Sequence, residues 1–431
     1  MKRTLSVAIG VVLLGSCGTA FAITDSETNA SIPFSFSSPG ARSLGMAGAF
    51  LGLADDATAA YANPAGLTQL AQTEISIEGR HTSYSTPYID GGTAGVSPFS
   101  TAGLNISYAD SSENNLSYLS IVVPRDRWAF AFYRHELARF ETEFTTLAGA
   151  GFGNFQLFPF TSQAELKILN YGATAAFKAT DNVSLGLGVS LYDFNFLTAT
   201  GRVSLANPAN PVAASAQAQL GDERGWGWNL GARFRLTDTW SLGLTYRRAP
   251  SFDYRAANLV FIDVQGNPLP APAVFAAPTG VEFDIPDIWG IGLSWRPTDA
   301  LVVNFDIDRV EYAQLTDRID SLFGIADAAS RLRLENGTEV HLGAEYTFAN
   351  MTRPFSLRGG LWHDPRHSVE FDGTPANDNE RALAVLFAGG RGSDTHYSIG
   401  GGWAFTKFQL DFAADFSEGV DTYSVSGVYR F

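Results

Sequence analysis

The chain is almost without sulfur: its 431 residues include one cysteine, Cys17, and three methionines. Cys17 lies in a stretch with the marks of an export signal. Lys2 and Arg3 precede the apolar run Leu5 to Leu14, and Ala20-Phe21-Ala22 gives the small-x-small pattern of signal-peptidase cleavage. Residues 1–22 are therefore expected to be a signal peptide, with Ile23 first in the mature chain. Cleavage there leaves no cysteine, which excludes disulfides and thiol or metal–thiolate chemistry. The alternative is acylation of Cys17, because Leu14-Gly15-Ser16-Cys17 loosely resembles a lipoprotein cleavage site. Basic charge is also scarce. Lys and Arg number 29 against 44 Asp and Glu, a net charge of −15, and loss of Lys2 and Arg3 makes the mature chain more acidic still. Such a balance argues against a nucleic-acid partner.

Beyond the signal there is no run of about 18 apolar residues, and so no transmembrane helix. Catalytic and metal signatures are missing too. The six histidines (His81, His135, His341, His363, His367 and His396) have no metal-ligand spacing; His363 and His367 lie four apart, but in a Pro-containing segment rather than a helix. No nucleophile–His–acid arrangement and no phosphate-binding glycine loop stand out. No cofactor, no metal and no catalytic residue are expected, and a membrane-embedded lipase or protease is a weak alternative.

What the chain does have is alternation. Hydrophobic residues make up 45% and aromatics 13%, with 32 Phe and 43 Gly. Without long runs, these residues must be spread along strands with one apolar face. Phe408, Leu410, Phe412, Ala414 and Phe416 alternate with Gln409, Asp411, Ala413 and Asp415. Trp226, Trp228, Leu230, Ala232 and Phe234 do the same, as do Trp240, Leu242, Leu244 and Tyr246, and Val340, Leu342, Ala344, Tyr346 and Phe348. Short turns at Asp126–Arg127, Thr180–Asn182, Thr237–Thr239, Thr298–Ala300 and Asn350–Arg353 alternate with long polar stretches at 83–112, 140–163, 205–223, 263–279, 317–336 and 365–393. Short turns on one side and long loops on the other mark an outer-membrane barrel, and the pattern gives about fourteen strands, an even number. Trp128, Trp226, Trp240, Trp289, Trp295 and Trp403 sit near strand ends, where an interfacial aromatic girdle belongs. A soluble β-sandwich would instead need its apolar faces buried on each other, with loops of no fixed asymmetry. The predicted fold is all-β, a transmembrane antiparallel β-barrel over residues 72–431.

The last strand, Tyr423, Val425, Gly427 and Tyr429 ending on Phe431, resembles the signal by which barrel-assembly machinery recognises its clients. One stretch fits none of the strands: Gly40 to Leu70. Glycines at 40, 45, 48 and 52 and alanines at 54, 57, 59, 60 and 62 allow close backbone packing but weaken both helix and strand. It closes on Asn63-Pro64-Ala65-Gly66, a turn by composition. A compact segment before a barrel reads as an N-terminal hatch, or plug, over residues 23–71, inside a lumen that about fourteen strands leave open.

GMAGAFLGLADDATAAYANPAGL, with Gly225-Trp226-Gly227-Trp228-Asn229-Leu230-Gly231, Leu244-Thr245-Tyr246-Arg247 and Ile285-Pro286-Asp287-Ile288-Trp289, resembles the FadL/TodX family. Its members are outer-membrane transporters of long-chain fatty acids and other hydrophobic compounds, and the resemblance spans nearly the whole mature chain. It implies a monomer in the outer membrane of a Gram-negative bacterium, surrounded by outer-membrane lipid. It also implies passive uptake of a fatty acid or hydrocarbon, movement of the hatch, and sideways exit through the barrel wall. A general porin and an accessory or shuttle protein of a secretion system are the alternatives. Three departures stand out. Trp128 to Arg139 has no Gly or Pro to mark the family's kinked third strand. Its basic residue in the fifth strand is replaced near Asn195, with Arg318 as the later counterpart. The third extracellular loop, Asn207 to Gly221, is short and Ala-rich, which implies a reduced outer groove.

The candidate residues follow. Asn63, Pro64 and Ala65 are expected to hold the hatch closed, and Asp55 and Asp56 to pair with inward-facing barrel arginines such as Arg233 or Arg247. Phe34, Phe36, Leu44, Met46, Phe50 and Leu53 are candidates to line an apolar ligand pocket, and Arg318 to meet a carboxylate head group.

Overall fold

The computed structural model describes residue 36 and residues 38–93, 103–146, 150–152, 155–157, 159–204, 212–262, 268–275, 281–316, 331–376, 380, 384 and 392–431. The expected signal peptide over residues 1–22, with Cys17, and Ile23, Phe34 and Arg318 lie outside the described residues. No helix among the described residues is long and apolar enough to cross a membrane.

Alternation produces a single closed sheet. Its fourteen strands are β1 (Glu74–Thr93), β2 (Leu104–Arg125), β3 (Trp128–Thr145), β4 (Phe160–Lys178), β5 (Val183–Ser204), β6 (Val212–Arg235) and β7 (Trp240–Arg248), followed by β8 (Ile288–Thr298), β9 (Leu301–Val310), β10 (Gly337–Phe348), β11 (Phe355–Asp364), β12 (Asp394–Ala404), β13 (Phe408–Phe416) and β14 (Val420–Arg430). Each pairs antiparallel with the next, and β1 closes the ring on β14, from Glu74 opposite Arg430 to Tyr84 opposite Val420. A segment at Ser251–Ile262 continues β7 upward along β6, with Arg255 opposite Leu220.

Where the strands cross the bilayer, their apolar phase faces outward. Trp226, Leu230, Leu342, Tyr346, Phe412, Tyr423, Val425 and Tyr429 are exposed, while their neighbours Asn229, His341, Glu345, Asp411, Ser424 and Ser426 are buried. A band of exposed Leu, Ile, Phe and Tyr around a closed sheet is the surface a bilayer covers. Five of the six girdle tryptophans are exposed, and Trp240 stacks on Trp295 at 5.3 Å.

The wall is uneven in height. Strands β1, β2, β5 and β6 have 20, 22, 22 and 24 residues, whereas β9, β11 and β13 have 10, 10 and 9. About 9–11 residues span a bilayer, so the first half of the ring rises far above it. The expected loops 83–112, 140–163 and 205–223 are thus largely strand: β1 and β2 are paired from Glu74 opposite Val122 up to Gly92 opposite Leu104. Above the bilayer both faces are wet, and Ser/Thr/Asn-rich β-sheet has the composition of a loop. The short third loop is corrected in the same way, because Val212–Leu220 belongs to β6.

The third strand is corrected as well. It carries a register shift between Glu136 and Ala138, without Gly or Pro. Below it Ala129, Ala131 and Tyr133 face inward; above it Phe140, Thr142 and Phe144 do. One extra residue, Leu137, reverses the phase of the strand, as a β-bulge does.

Candidate functional site

Residues 38–70 fold inside the ring, with almost every side chain buried. Their local structure is short because their residues are small: a helical turn at Ala41–Leu44, another at Ala59–Ala62, and a 3₁₀ turn at Pro64–Gln69. Segment and barrel meet at glycines of both surfaces. A Cβ at Gly52 would stand 2.8 Å from Ser294 N, and one at Gly186 would stand 2.5 Å from Ala65 N and Pro64 C. Backbone lies against backbone, which a larger side chain on either surface would prevent. Backbone groups of the segment are bonded by the wall: Gly40 N donates to Glu78 (2.9 Å), Ala41 N to Ser426 (3.1 Å), and Phe50 N and Leu51 N both to Asp306 (2.6 and 2.7 Å).

Asn63 is a junction. Its Oδ1 accepts from Ala65 N at 3.2 Å, capping the 3₁₀ turn, while Nδ2 donates to Leu51 O at 2.9 Å and to Ala232 O in β6 at 3.3 Å. One buried amide joins two parts of the segment to each other and to the wall. Pro64 and Ala65 sit against Gly186 and Gly231.

Asp55 and Asp56 do not pair with Arg233 or Arg247. Both meet Arg42, from the same segment, at 2.5 and 3.4 Å, and Asp55 also meets a barrel arginine, Arg296 of β8, at 3.7 Å. Arg42 also forks onto Glu345 of β10, which takes a bond from Arg358 at 2.6 Å; Arg358 in turn meets Asp411 at 2.8 Å. Burial opposes the charge on Arg42, but Asp55, Glu345 and Asp56 outweigh it and hold its pKa well above the ordinary value. Arg247 instead stacks 3.8 Å from the ring centre of Tyr61 and donates to Tyr61 O. Arg42, the one Lys or Arg between residues 23 and 71, is the signal in the sequence that could have found this pairing.

Above the segment the inward face of β5 has three tiers. Ser184, Gly186, Gly188 and Ser190 lie at the level of the segment, then come Tyr192, Phe194 and Phe196, then Thr198, Thr200, Arg202 and Ser204. The aromatic tier continues around the lumen. Phe194 stacks on Phe252 at 4.7 Å and meets Phe283 at 5.2 Å, and Tyr84 stacks on Phe140 at 5.3 Å, all in one buried cluster with Phe36 and Tyr312. Barrel interiors are ordinarily polar; this one is greasy at mid-height. Next to the cluster is a cavity of about 170 Å³, lined by Phe36, Leu44, Ala47 and Gly48 from the segment and by Arg80, Glu113, Glu136, Arg139, Glu339, Asp364, Asp394 and Asp415 among the wall residues. Phe36 and Leu44 therefore face the cavity, while Met46, Phe50 and Leu53 pack in a second cluster within the segment and against β2, β3 and β9. Asn195 is on the outer face of β5 and does not face the lumen.

The wall opens beside the cavity. The β2–β3 ladder runs from Arg125 opposite Trp128 to Tyr118 opposite His135 and stops. Beyond the bulge the described pairing of β3 is with β4, and that of β2 is with β1. Side chains fill the interval: Glu136 accepts from Asn115 at 2.6 Å, Arg139 at 2.8 Å and Arg134 at 3.0 Å. Sequence reasoning missed these residues, although the phase reversal between Phe132 and Phe140 marks the place. It also missed Asp306, Asp308, Glu339 and His341. The β9–β10 register sets Asp306 opposite His341 and Asp308 opposite Glu339, a pairing of D-x-D with E-x-H that no spacing within one strand reveals.

A family model described as "Outer membrane protein transport protein (OMPP1/FadL/TodX)" matches residues 24–421. Outer membrane protein P1 of Haemophilus influenzae is 23% identical over 274 residues, 57% of this chain and 54% of that protein. The chain thus spans about half the length of the curated relatives it matches. Among solved structures, a FadL homologue of Pseudomonas aeruginosa is similar with a TM-score of 0.61 at 14% identity, over 93% of this chain and 99% of the other. The Pseudomonas putida toluene transporter TodX follows with 0.57 at 16%, over 92% and 99%. The Ralstonia pickettii toluene transporter TbuX gives 0.56 at 14%, over 91% and 98%. At these identities the structures establish the shared fold.

Proposed function

The chain belongs to the OMPP1/FadL/TodX family of outer-membrane transport proteins, and from that premise we propose that it takes up hydrophobic small molecules passively through a hatch-closed barrel. The observation that carries this reading is the buried aromatic tier of Tyr192, Phe194, Phe196, Phe252 and Phe283 inside the lumen. A water-filled porin has no use for such a tier. A hydrocarbon gains about 0.8 kcal/mol for each CH₂ moved from water into surroundings of this kind.

The route runs from the tall outer wall into the aromatic tier, down to the cavity over Phe36 and Leu44, and out between β2 and β3. The unpaired interval supports a sideways exit, because a greasy molecule leaving there enters lipid rather than periplasmic water. Residues 38–70 act as the gate. Asn63, Pro64 and Ala65 seat it against β5 and β6, and Arg42 ties Asp55 and Asp56 to Glu345. In the cavity Glu113, Glu136, Glu339, Asp364, Asp394 and Asp415 outnumber Arg80 and Arg139. That balance favours neutral hydrocarbons and monoaromatics over free fatty-acid carboxylates. The similarity to TodX and TbuX, both toluene transporters, supports the same choice.

The test is uptake of labelled toluene, hexadecane and oleate by a deletion strain carrying the wild-type chain or Phe194→Ala. Faster entry of the neutral compounds with the wild-type chain supports the proposal. Equal entry of all three in the deletion strain and its parent would sink it.

A further inference from the structure

We propose that Asp308, Glu339 and His341 bind a divalent transition-metal ion of the zinc class on the inner wall, directly beneath the lumen cavity. The three residues come together through the β9–β10 register, and one possible ligand atom from each lies within 4.8 Å of the others.

His341 supplies the independent observation. Its side chain is 2% exposed, and its Nδ1 is 2.7 Å from Ala47 O. A carbonyl only accepts, so Nδ1 carries the proton. In the neutral ring this leaves a lone pair on Nε2, which has no hydrogen-bond partner. A second-sphere carbonyl that fixes the tautomer and aims the free nitrogen is the usual companion of a metal-binding imidazole. Nε2 faces Glu339 Oε2 at 3.5 Å and Asp308 Oδ2 at 3.7 Å. The other oxygen of Glu339 accepts from Tyr312 at 2.9 Å, which orients the carboxylate. Among the described residues, the ion pairs of Asp308 and Glu339 are with His341 alone.

A ring nitrogen facing two carboxylates calls for a cation between them, either a proton on Nε2 or a metal ion. A proton on Nε2 would draw a carboxylate in to about 2.7–2.9 Å, whereas ligands held at about 2.0–2.1 Å around a tetrahedral ion stand roughly 3.3–3.4 Å apart. The separations lie nearer the second geometry. One imidazole and two carboxylates suit zinc or a neighbouring divalent ion, and one of the three, Glu339, also lines the cavity. The same histidine bonds Ala47, so the ion would also brace the hatch. The proposal does not depend on which molecule is transported.

The experiment uses the full mature protein in detergent, stripped with a chelator and titrated with zinc, and with cobalt as a spectroscopic probe. One equivalent per chain is expected, with cobalt d–d bands typical of a low-coordinate site. His341→Ala should abolish binding, and Tyr312→Phe should weaken it about tenfold. His81→Ala should leave it unchanged. Heat-modifiable gel mobility verifies that each variant is folded; if His341→Ala is not, Asp308→Asn, at the rim of the cluster, carries the test. Absence of saturable binding overturns the proposal. So does binding that survives His341→Ala or Asp308→Asn, or that is lost on mutation of His396 instead.

Discussion

Arg42 grips Glu345 with two parallel hydrogen bonds, Nε to Oε2 at 3.0 Å and Nη2 to Oε1 at 2.8 Å. It is a two-point link between the hatch and the wall, and its fork geometry cannot be reproduced by lysine. Breaking a buried pair of this kind costs about 3–5 kcal/mol. Arg42→Ala should therefore free the hatch while the sheet, whose ladders it does not touch, still closes. Planar-bilayer recordings should change from near silence to steady conductance, with unchanged heat-modifiable mobility. Arg42→Lys should lie between the two.

Asn63→Ala removes two bonds to carbonyls and the cap on Ala65 N. Leaving buried carbonyls without a donor costs about 1–3 kcal/mol. Hydrogen exchange is expected to quicken at Leu51 and at residues 63–66 before it changes in β5 or β6. Exchange that rises uniformly around the barrel would point to a role in assembly instead.

Phe194→Ala opens the aromatic tier by removing a ring stacked on Phe252. Large-to-small changes in such clusters cost about 3–5 kcal/mol, here divided between barrel stability and ligand affinity. Displacement of a fluorescent apolar probe from purified protein should require at least ten times more toluene than for the wild type. Leu185→Ala, on the lipid face of the same strand, should leave that figure unchanged.

The proposed exit can be closed reversibly, because the mature chain is expected to lack cysteine. Asn115→Cys with Glu136→Cys, joined by a short cleavable bismaleimide, should stop uptake into cells while leaving probe binding to the purified protein intact. Cleaving the linker should restore uptake. Undiminished uptake with the gap bridged would exclude this route.

His367 stacks on Tyr312 at 4.7 Å and lies 3.3 Å from Asp364. Burial pushes its pKa down, but the Asp364 carboxylate and Pro365 O outweigh this and raise it above 6.5. A raised histidine pKa means that the pairing contributes fully below about pH 6.5 and is lost as pH rises through the folded-state value. An NMR titration of the His367 ring should give a value above 6.5, and Asp364→Asn should return it toward that figure.

Much of this architecture is legible in the sequence, because a period of two states directly which side chain meets lipid. Trp226, Leu230 and Tyr346 announce their face by alternating with Asn229 and Glu345. The tall outer wall is harder to read. Ser83, Ser85, Ser111, Ser112 and Asn114 are strand residues solvated on both sides, so no apolar phase separates them from a loop. The bulge at Leu137 needs no special residue, only one position too many. The inner site is hidden for a different reason: Asp308 and His341 are more than thirty positions apart, and only the β9–β10 register makes them neighbours.

The closure of β1 on β14 also anchors the hatch. Glu74 meets Arg430 at 2.8 Å and Phe431 N bonds Thr73 O, so the seam joins the start of the barrel to the end of the chain. Gly40 and Ala41 bond to Glu78 and Ser426 on its two sides. Two adjacent hatch residues are thus fastened to the first and last strands of the ring at once, the second bond spanning 385 positions. Loss of β14 would therefore remove at one stroke the partner of β1 and the Ser426 hydroxyl that holds Ala41.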